Sequence, residues 1–104
     1  MNEQIQISRE PGRFVIEVDG TAAGFAQYVE RQDGAVFDFV HTEVDSAFSG
    51  RGLGGRLVEA ALEETRELGK TIVPHCPFVA DWLKQHPQFV GDVYWPNESP
   101  PVGD

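Results

Sequence analysis

The hydrophobic repeat changes period once along this chain, and the change falls on a run of glycines. From Arg13 to Val44 the apolar residues recur largely at intervals of two, whereas from Leu53 to Leu68 they recur at three and four. Ser49-Gly50-Arg51-Gly52-Leu53-Gly54-Gly55 joins the two regimes. A strand-rich half that hands over to an amphipathic helix through a glycine turn predicts an α/β fold.

In the first half, Phe14, Ile16 and Val18 alternate with Val15 and Glu17 and then meet Asp19-Gly20, a tight hairpin signal. A second strand, about Gly24 to Arg31, ends at Asp33-Gly34, another hairpin signal. The third, about Ala35 to Val44, is apolar on both faces at its start, which predicts a central place in the sheet. Three antiparallel strands follow from these turns.

In the second half, Leu53, Leu57, Val58, Ala61, Leu62, Thr65 and Leu68 share one helical face, and Arg56, Glu59, Glu63, Arg66 and Glu67 largely occupy the other. Gly69 ends this helix and Lys70 complements its negative dipole end. The β-branched run Thr71-Ile72-Val73 predicts a buried strand parallel to the third, because a helix separates them. Pro77 opens a second helix, about Pro77 to Gln85, with Phe78, Val79, Trp82 and Leu83 as its apolar stripe, and His86-Pro87 closes it. A short extended segment, Phe89 to Tyr94, follows. Positions 1–95 read as one domain, and the proline-rich stretch 96–104 as an unstructured tail.

Eight Lys and Arg stand against seventeen Asp and Glu, a net charge of -9. That field opposes phosphate backbones and anionic lipid, so neither nucleic acid nor membrane is an expected partner, and cationic or amine partners fit better. The lone cysteine, Cys76, excludes an internal disulfide framework and fits a reducing compartment, with cytoplasm as the default. No apolar run approaches a membrane span, and Met1 to Glu10 lacks the pattern of a signal peptide. Nothing in the pattern sets an oligomeric state.

The glycine run lies where an anion is best received. Unpaired N–H groups converge at a helix start, the dipole adds partial positive charge, and glycines let a diphosphate approach the main chain. The run lacks the Gly-Lys-Ser/Thr ending of a nucleoside-triphosphate loop, and three leading hairpin strands leave no room for the repeated units of a dinucleotide fold. Glycines here also suit a flexible loop or a close helix–sheet contact.

Ser49-Gly50-Arg51-Gly52-Leu53-Gly54 resembles the Gln/Arg-x-x-Gly-x-Gly/Ala signature of the GNAT superfamily of acyl-coenzyme A dependent N-acetyltransferases, matching at both glycines. Ser49 departs from it, and Arg51 or Arg56 would supply the missing charge. Three segments in order, His41-Thr42-Glu43-Val44, the glycine loop, and Val73-Pro74-His75-Cys76-Pro77-Phe78-Val79 followed by His86-Pro87, are similar to the small stand-alone, yidJ-like subgroup over about Phe14 to Phe89.

The resemblance implies a minimal GNAT-like fold with acetyl-coenzyme A wedged between the diverging third and fourth strands. It implies contacts from Val44, Ser49, Gly50, Arg51, Gly52, Leu53, Gly54, Gly55 and Arg56. Longer members have helices after the first strand that wall the amine site. The turn at Asp19-Gly20 leaves no room for them, so the acceptor site is expected to be open or completed by a partner.

His41 and Glu43 lie two apart at a strand end and so share a face beside the loop, where either is a candidate base for the amine. Cys76 precedes a helix N-terminus, which favours a thiolate. The resemblance sets it across the cleft from His41, as a candidate acid for the departing thiol or a group that shapes the channel. Many GNAT enzymes use a tyrosine as that acid, and the second helix has none. His75, Cys76 and His86 do not make a metal set, because His75 and Cys76 are adjacent on a strand and point apart. Phe78 and Trp82, at i and i+4, read as core.

The leading expectation is an N-acetyltransferase that moves acetyl from acetyl-coenzyme A directly to a small-molecule or lysine-type primary amine. The alternatives are a coenzyme A binding module or partner subunit without catalysis, and a small interaction domain whose glycine loop serves packing alone.

Overall fold

The computed structural model describes residues 3–96. Five strands, β1 (Ile5–Glu10), β2 (Arg13–Val18), β3 (Thr21–Arg31), β4 (Val36–Val44) and β5 (Thr71–Pro74), lie side by side in chain order. The first three pairings are antiparallel and β4 with β5 is parallel, as expected of strands separated by a helix. Helix α1 (Leu53–Glu67) makes that crossover, and α2 (Pro77–Gln85) follows β5. The four elements β2 to β5 and both helices match the sequence expectation to within a few residues at each end.

The strand β1 was not expected from the sequence. Ile5 and Ile7 alternate with polar residues, but only those two positions are even half-buried, so the repeat is too short to stand out. Asp19 (φ 51°) and Gly20 (φ 81°) form the anticipated tight turn, with both central residues in the left-handed region.

One face of the sheet carries the core. Phe14, Tyr28, Phe37 and Phe39 gather there, with the Tyr28 and Phe37 rings stacked at 4.2 Å. Leu57, Val58, Ala61 and Leu62 of α1 cover them, and Val79, Trp82 and Leu83 of α2 complete the same cluster. Helix α1 ends in paired bonds from Gly69 N–H to Arg66 O (2.9 Å) and Lys70 N–H to Thr65 O (3.1 Å), which Gly69 permits with φ 75°. Leu68 and Phe78, read as core-facing from their spacing, are instead exposed.

After α2 the chain returns to the sheet margin, where Val93 bridges Ile72 in parallel through bonds from Ile72 N–H to Asp92 O and from Tyr94 N–H to Ile72 O, both 2.8 Å. The segment expected to be extended therefore guards the outer edge of β5. The expected tail at 96–104 lies, apart from Pro96, outside the described residues. Among those residues no helix is long and apolar enough to cross a membrane.

Leu57 is fully buried at the centre of α1. Leu57→Ala should lower unfolding stability by about 2–5 kcal/mol, and Val90→Ala, at an exposed position, by no more than about 0.5 kcal/mol. Urea titration with an unchanged slope checks both.

Candidate active site

The parallel ladder between β4 and β5 runs from Val36 opposite Thr71 to Phe39 opposite Pro74 and stops there. The next N–H that the register aims at β4 belongs to His75, because Thr71 N–H bonds to Ala35 O while Ile72 N–H faces Asp92 O on the other side. The chain turns about Pro74, with His75 N–H on Val73 O at 3.2 Å, and makes one last link from Cys76 N–H to Phe39 O at 2.8 Å. It then enters α2 through Pro77 at the first helical turn. Strand β4 runs on to Val44 paired with β3 alone, so an opening forms between the end of β4 and the start of α2.

Main-chain groups line that opening. Asp45 N–H points back to Ala23 O of β3, at 2.7 Å. Alternation along a strand then turns the N–H groups of Val44 and Thr42 the other way, toward the unpaired edge.

A bulge decides which side chains reach which face. Gln27 pairs with His41 and Tyr28 with Phe39, so Val40 is an extra residue in β4. Before the bulge Phe37 and Phe39 face the helices; after it the parity flips. Thr42 meets Cys76, whose Sγ donates to Thr42 Oγ1 at 3.4 Å. His41 and Glu43 stand on the opposite face, which neither helix covers. The cysteine thus lies across from Thr42 rather than His41, a departure that a uniform strand repeat does not foresee.

His41 and Glu43 do share a face, as their spacing requires. Their side chains bond at 3.1 Å and are 54% and 61% exposed. Beside them a cavity of about 180 Å³ is lined by Arg13, Val15, Gly24, Phe25, Glu43 and Asp45. Gly24 lets β3 approach closely there, since a Cβ on it would sit 2.5 Å from Glu43 O.

The loop after β4 opens with a short 3-10 turn, Ser46–Phe48, capped by Asp45 Oδ1 on Ala47 N–H at 2.9 Å. Gly50 (φ 80°) and Gly52 (φ 73°) then take left-handed conformations, and Gly52 caps α1 without a side-chain bond. The first N–H groups of α1 are therefore free of a capping side chain. A Cβ at Gly50, Gly52 or Gly55 would meet no atom within 4 Å, so the main chain there faces open space. Gly54 differs: a Cβ on it would lie 2.7 Å from the Phe78 ring, which makes it the contact between α1 and α2.

Ser49 braces its own loop, its Oγ donating to Ser46 O at 3.0 Å. Of the two arginines, Arg51 pairs with Glu3 at 2.5 Å and lies over the Phe48 ring. Among the described residues, Arg56 is the arginine of a groove of about 490 Å³ that it lines with Gly52, Gly55, Glu59, Phe78, Asp81, Trp82 and His86. Leu53 is buried beneath it.

On the uncovered face, Asp38 of β4 is 1% exposed, with Oδ2 accepting from Arg31 Nε at 2.8 Å and Oδ1 bonded to His75 Nδ1 at 2.6 Å. The sequence reading missed this cluster. Its signal is Asp38 itself, a carboxylate inside the apolar run Val36-Phe37-Asp38-Phe39-Val40, which demands a partner wherever it is buried. Among the described residues no group of three or more acidic, His or Cys side chains is placed to hold a metal.

A solved structure similar to this chain is that of a ribosomal-protein-alanine N-acetyltransferase from Brucella melitensis biovar Abortus 2308, at 18% identity and a TM-score of 0.48. The match covers 84% of this chain and 66% of that one. Residues 13–93, from the start of β2 to the bridge at Val93, match the GCN5-related N-acetyl-transferases, and the chain belongs to that family.

Proposed function

We propose that the protein moves acetyl from acetyl-coenzyme A to a primary amine in one direct step. The observation that carries this reading is the junction at the end of β4, where an open glycine-built helix start adjoins a strand edge with unpaired N–H groups. Acetyltransferases of this family use acetyl-coenzyme A. The diphosphate rests on the main chain of Gly50 to Gly55 at the positive end of α1, with Arg56 beside it. The pantetheine arm follows the unpaired edge of β4, and N–H groups of Thr42 and Val44 bond to it and polarise the thioester carbonyl.

The amine approaches from the face opposite the packed stripes of α1 and α2. His41 and Glu43 form a polar rim on that face that draws the incoming ammonium toward the opening, in keeping with an acidic chain of net charge -9. Close placement of the two reactants supplies much of the rate. Cys76, buried against Thr42, protonates the departing thiolate or shapes the end of the channel.

The first test is calorimetric titration with acetyl-coenzyme A, followed by turnover with a panel of primary amines. Binding without turnover would favour a coenzyme module or partner subunit, and no binding would leave the loop a packing device.

Gly55→Glu tests the diphosphate site without straining the backbone, because Gly55 is helical and faces open space. A carboxylate in the first turn should leave the free protein as stable or stabilise it by about 0.3–1 kcal/mol. It should also abolish the gain of about 2.7 kcal/mol that acetyl-coenzyme A at one hundred times its Kd gives the parent protein. Thermal melting with and without ligand reads both effects.

Direct transfer predicts that Cys76→Ser binds the coenzyme normally and keeps measurable turnover. Intact-protein mass spectrometry after brief mixing with acetyl-coenzyme A should show no stoichiometric acetyl adduct. An adduct on Cys76 that an amine discharges at the turnover rate, with a dead serine variant, would establish a covalent route.

A further inference from the structure

The sequence points to His41 or Glu43 as the group that deprotonates the amine, but that pair lies at the surface with its partners mutually exposed. Exposed pairs hold geometry weakly. A second histidine stands at the apex of the opening. The β4–β5 ladder ends at Phe39 and Pro74, and His75 is the next residue. Cys76, after it, turns into the core, so His75 projects to the uncovered face, where it meets Asp38.

Asp38 is buried and held at both oxygens, by Arg31 at 2.8 Å and by His75 Nδ1 at 2.6 Å. A carboxylate so fixed accepts the Nδ1 proton and leaves the lone pair of the neutral ring on Nε2. The His75 side chain is 45% exposed and borders a cavity of about 510 Å³ lined by Arg31, Asp38, Thr71, Val73, Asp92 and Tyr94 among others. A rigid acid behind a histidine whose free nitrogen reaches solvent is the arrangement of a general base rather than of a simple brace.

We propose that His75 Nε2 takes the proton from the attacking ammonium, with Asp38 as its positioning residue. This rests on the acetyl-transfer reading above and assigns a further residue to that site. The ammonium gives one proton to Nε2 and becomes a neutral amine. Its nitrogen lone pair forms a bond to the thioester carbon, and the carbon–sulfur bond breaks. The second proton lost from nitrogen ends on the coenzyme A thiolate, giving amide and thiol, and the imidazolium releases its proton to water. Among the described residues, six charged or titratable groups line the two cavities that His75 borders: Arg31 from β3, Asp38 from β4, Asp81 and Lys84 from α2, and Asp92 and Tyr94 from the segment beyond it. The carboxylates among them favour an incoming cation.

Two readouts test this on the full chain. Nitrogen-detected NMR of His75 should show the tautomer protonated on Nδ1, and Asp38→Asn should turn it into a mixture of tautomers while coenzyme binding persists. His75→Gln should keep the parent melting temperature within a few degrees and the parent affinity for acetyl-coenzyme A. With the best amine of the panel it should lose about 100-fold or more in kcat/KM near neutral pH, flatten the rising limb of the pH profile, and regain activity with added imidazole. An Nε2-protonated tautomer in the parent protein, or a His75→Gln variant within threefold of the parent while His41→Ala removes the limb, would overturn the assignment. If the parent binds acetyl-coenzyme A but acetylates none of the amines, the transfer reading fails and takes this one with it; if the parent turns over and His75→Gln matches it, this inference alone fails.

Discussion

The site depends on a hydrogen bond that turns back on its own strand. The next N–H that the register aims at β4 is that of His75, and it bonds to Val73 O instead of Phe39 O, so the ladder ends at Phe39 and Pro74. Everything beyond that point separates. The chain bends at His75, Cys76 N–H makes a last link to Phe39 O, and Pro77 starts a helix instead of more strand. Strand β4 is left with one satisfied edge and one vacant edge. Vacant edges are usually a liability, since they invite pairing with other chains. Here the edge is short and faces a glycine-built helix start.

A second constraint is the charge inside the sheet. Burying Asp38 without partners would cost far more than a surface carboxylate, so the fold brings Arg31 to it from β3 and His75 from the turn just after β5. This cross-strand arrangement also ties β5, which is only four residues long, to the sheet just below the point where the ladder ends. The same contact therefore braces the opening and orients the histidine beside it. Packing on the other face is conventional, with aromatic rings from β2 to β4 under the aliphatic stripe of α1.

Much of this is legible in the residues because the local signals agree. Asp19-Gly20 and Asp33-Gly34 set the hairpins, Leu57, Val58, Ala61 and Leu62 mark a helix face, and Pro77 marks a helix start. What escapes the sequence is non-local or turns on a single residue. The bulge at Val40 has no signature of its own, yet it reverses the facing of Thr42, His41 and Glu43. Gly54 looks like its neighbours in the loop but serves contact with Phe78, 24 positions away. Asp38 and His75 are separated by 37 residues, and only the parallel register makes them partners. Likewise β1 is too weakly alternating to announce itself and is held by its pairing with β2.

The central claim is that the acyl carrier lies along the vacant edge of β4 and on the glycine turn. Amide-resolved NMR titration with acetyl-coenzyme A tests it most directly, because the proposed contacts along that edge and turn are chiefly main-chain N–H groups. The account predicts that the largest shifts fall on Gly50 to Arg56, on Thr42 and Val44, and on Cys76, with β1 and the outer turns little changed. Saturable shifts centred elsewhere, or none at ligand concentrations in the millimolar range, would contradict it.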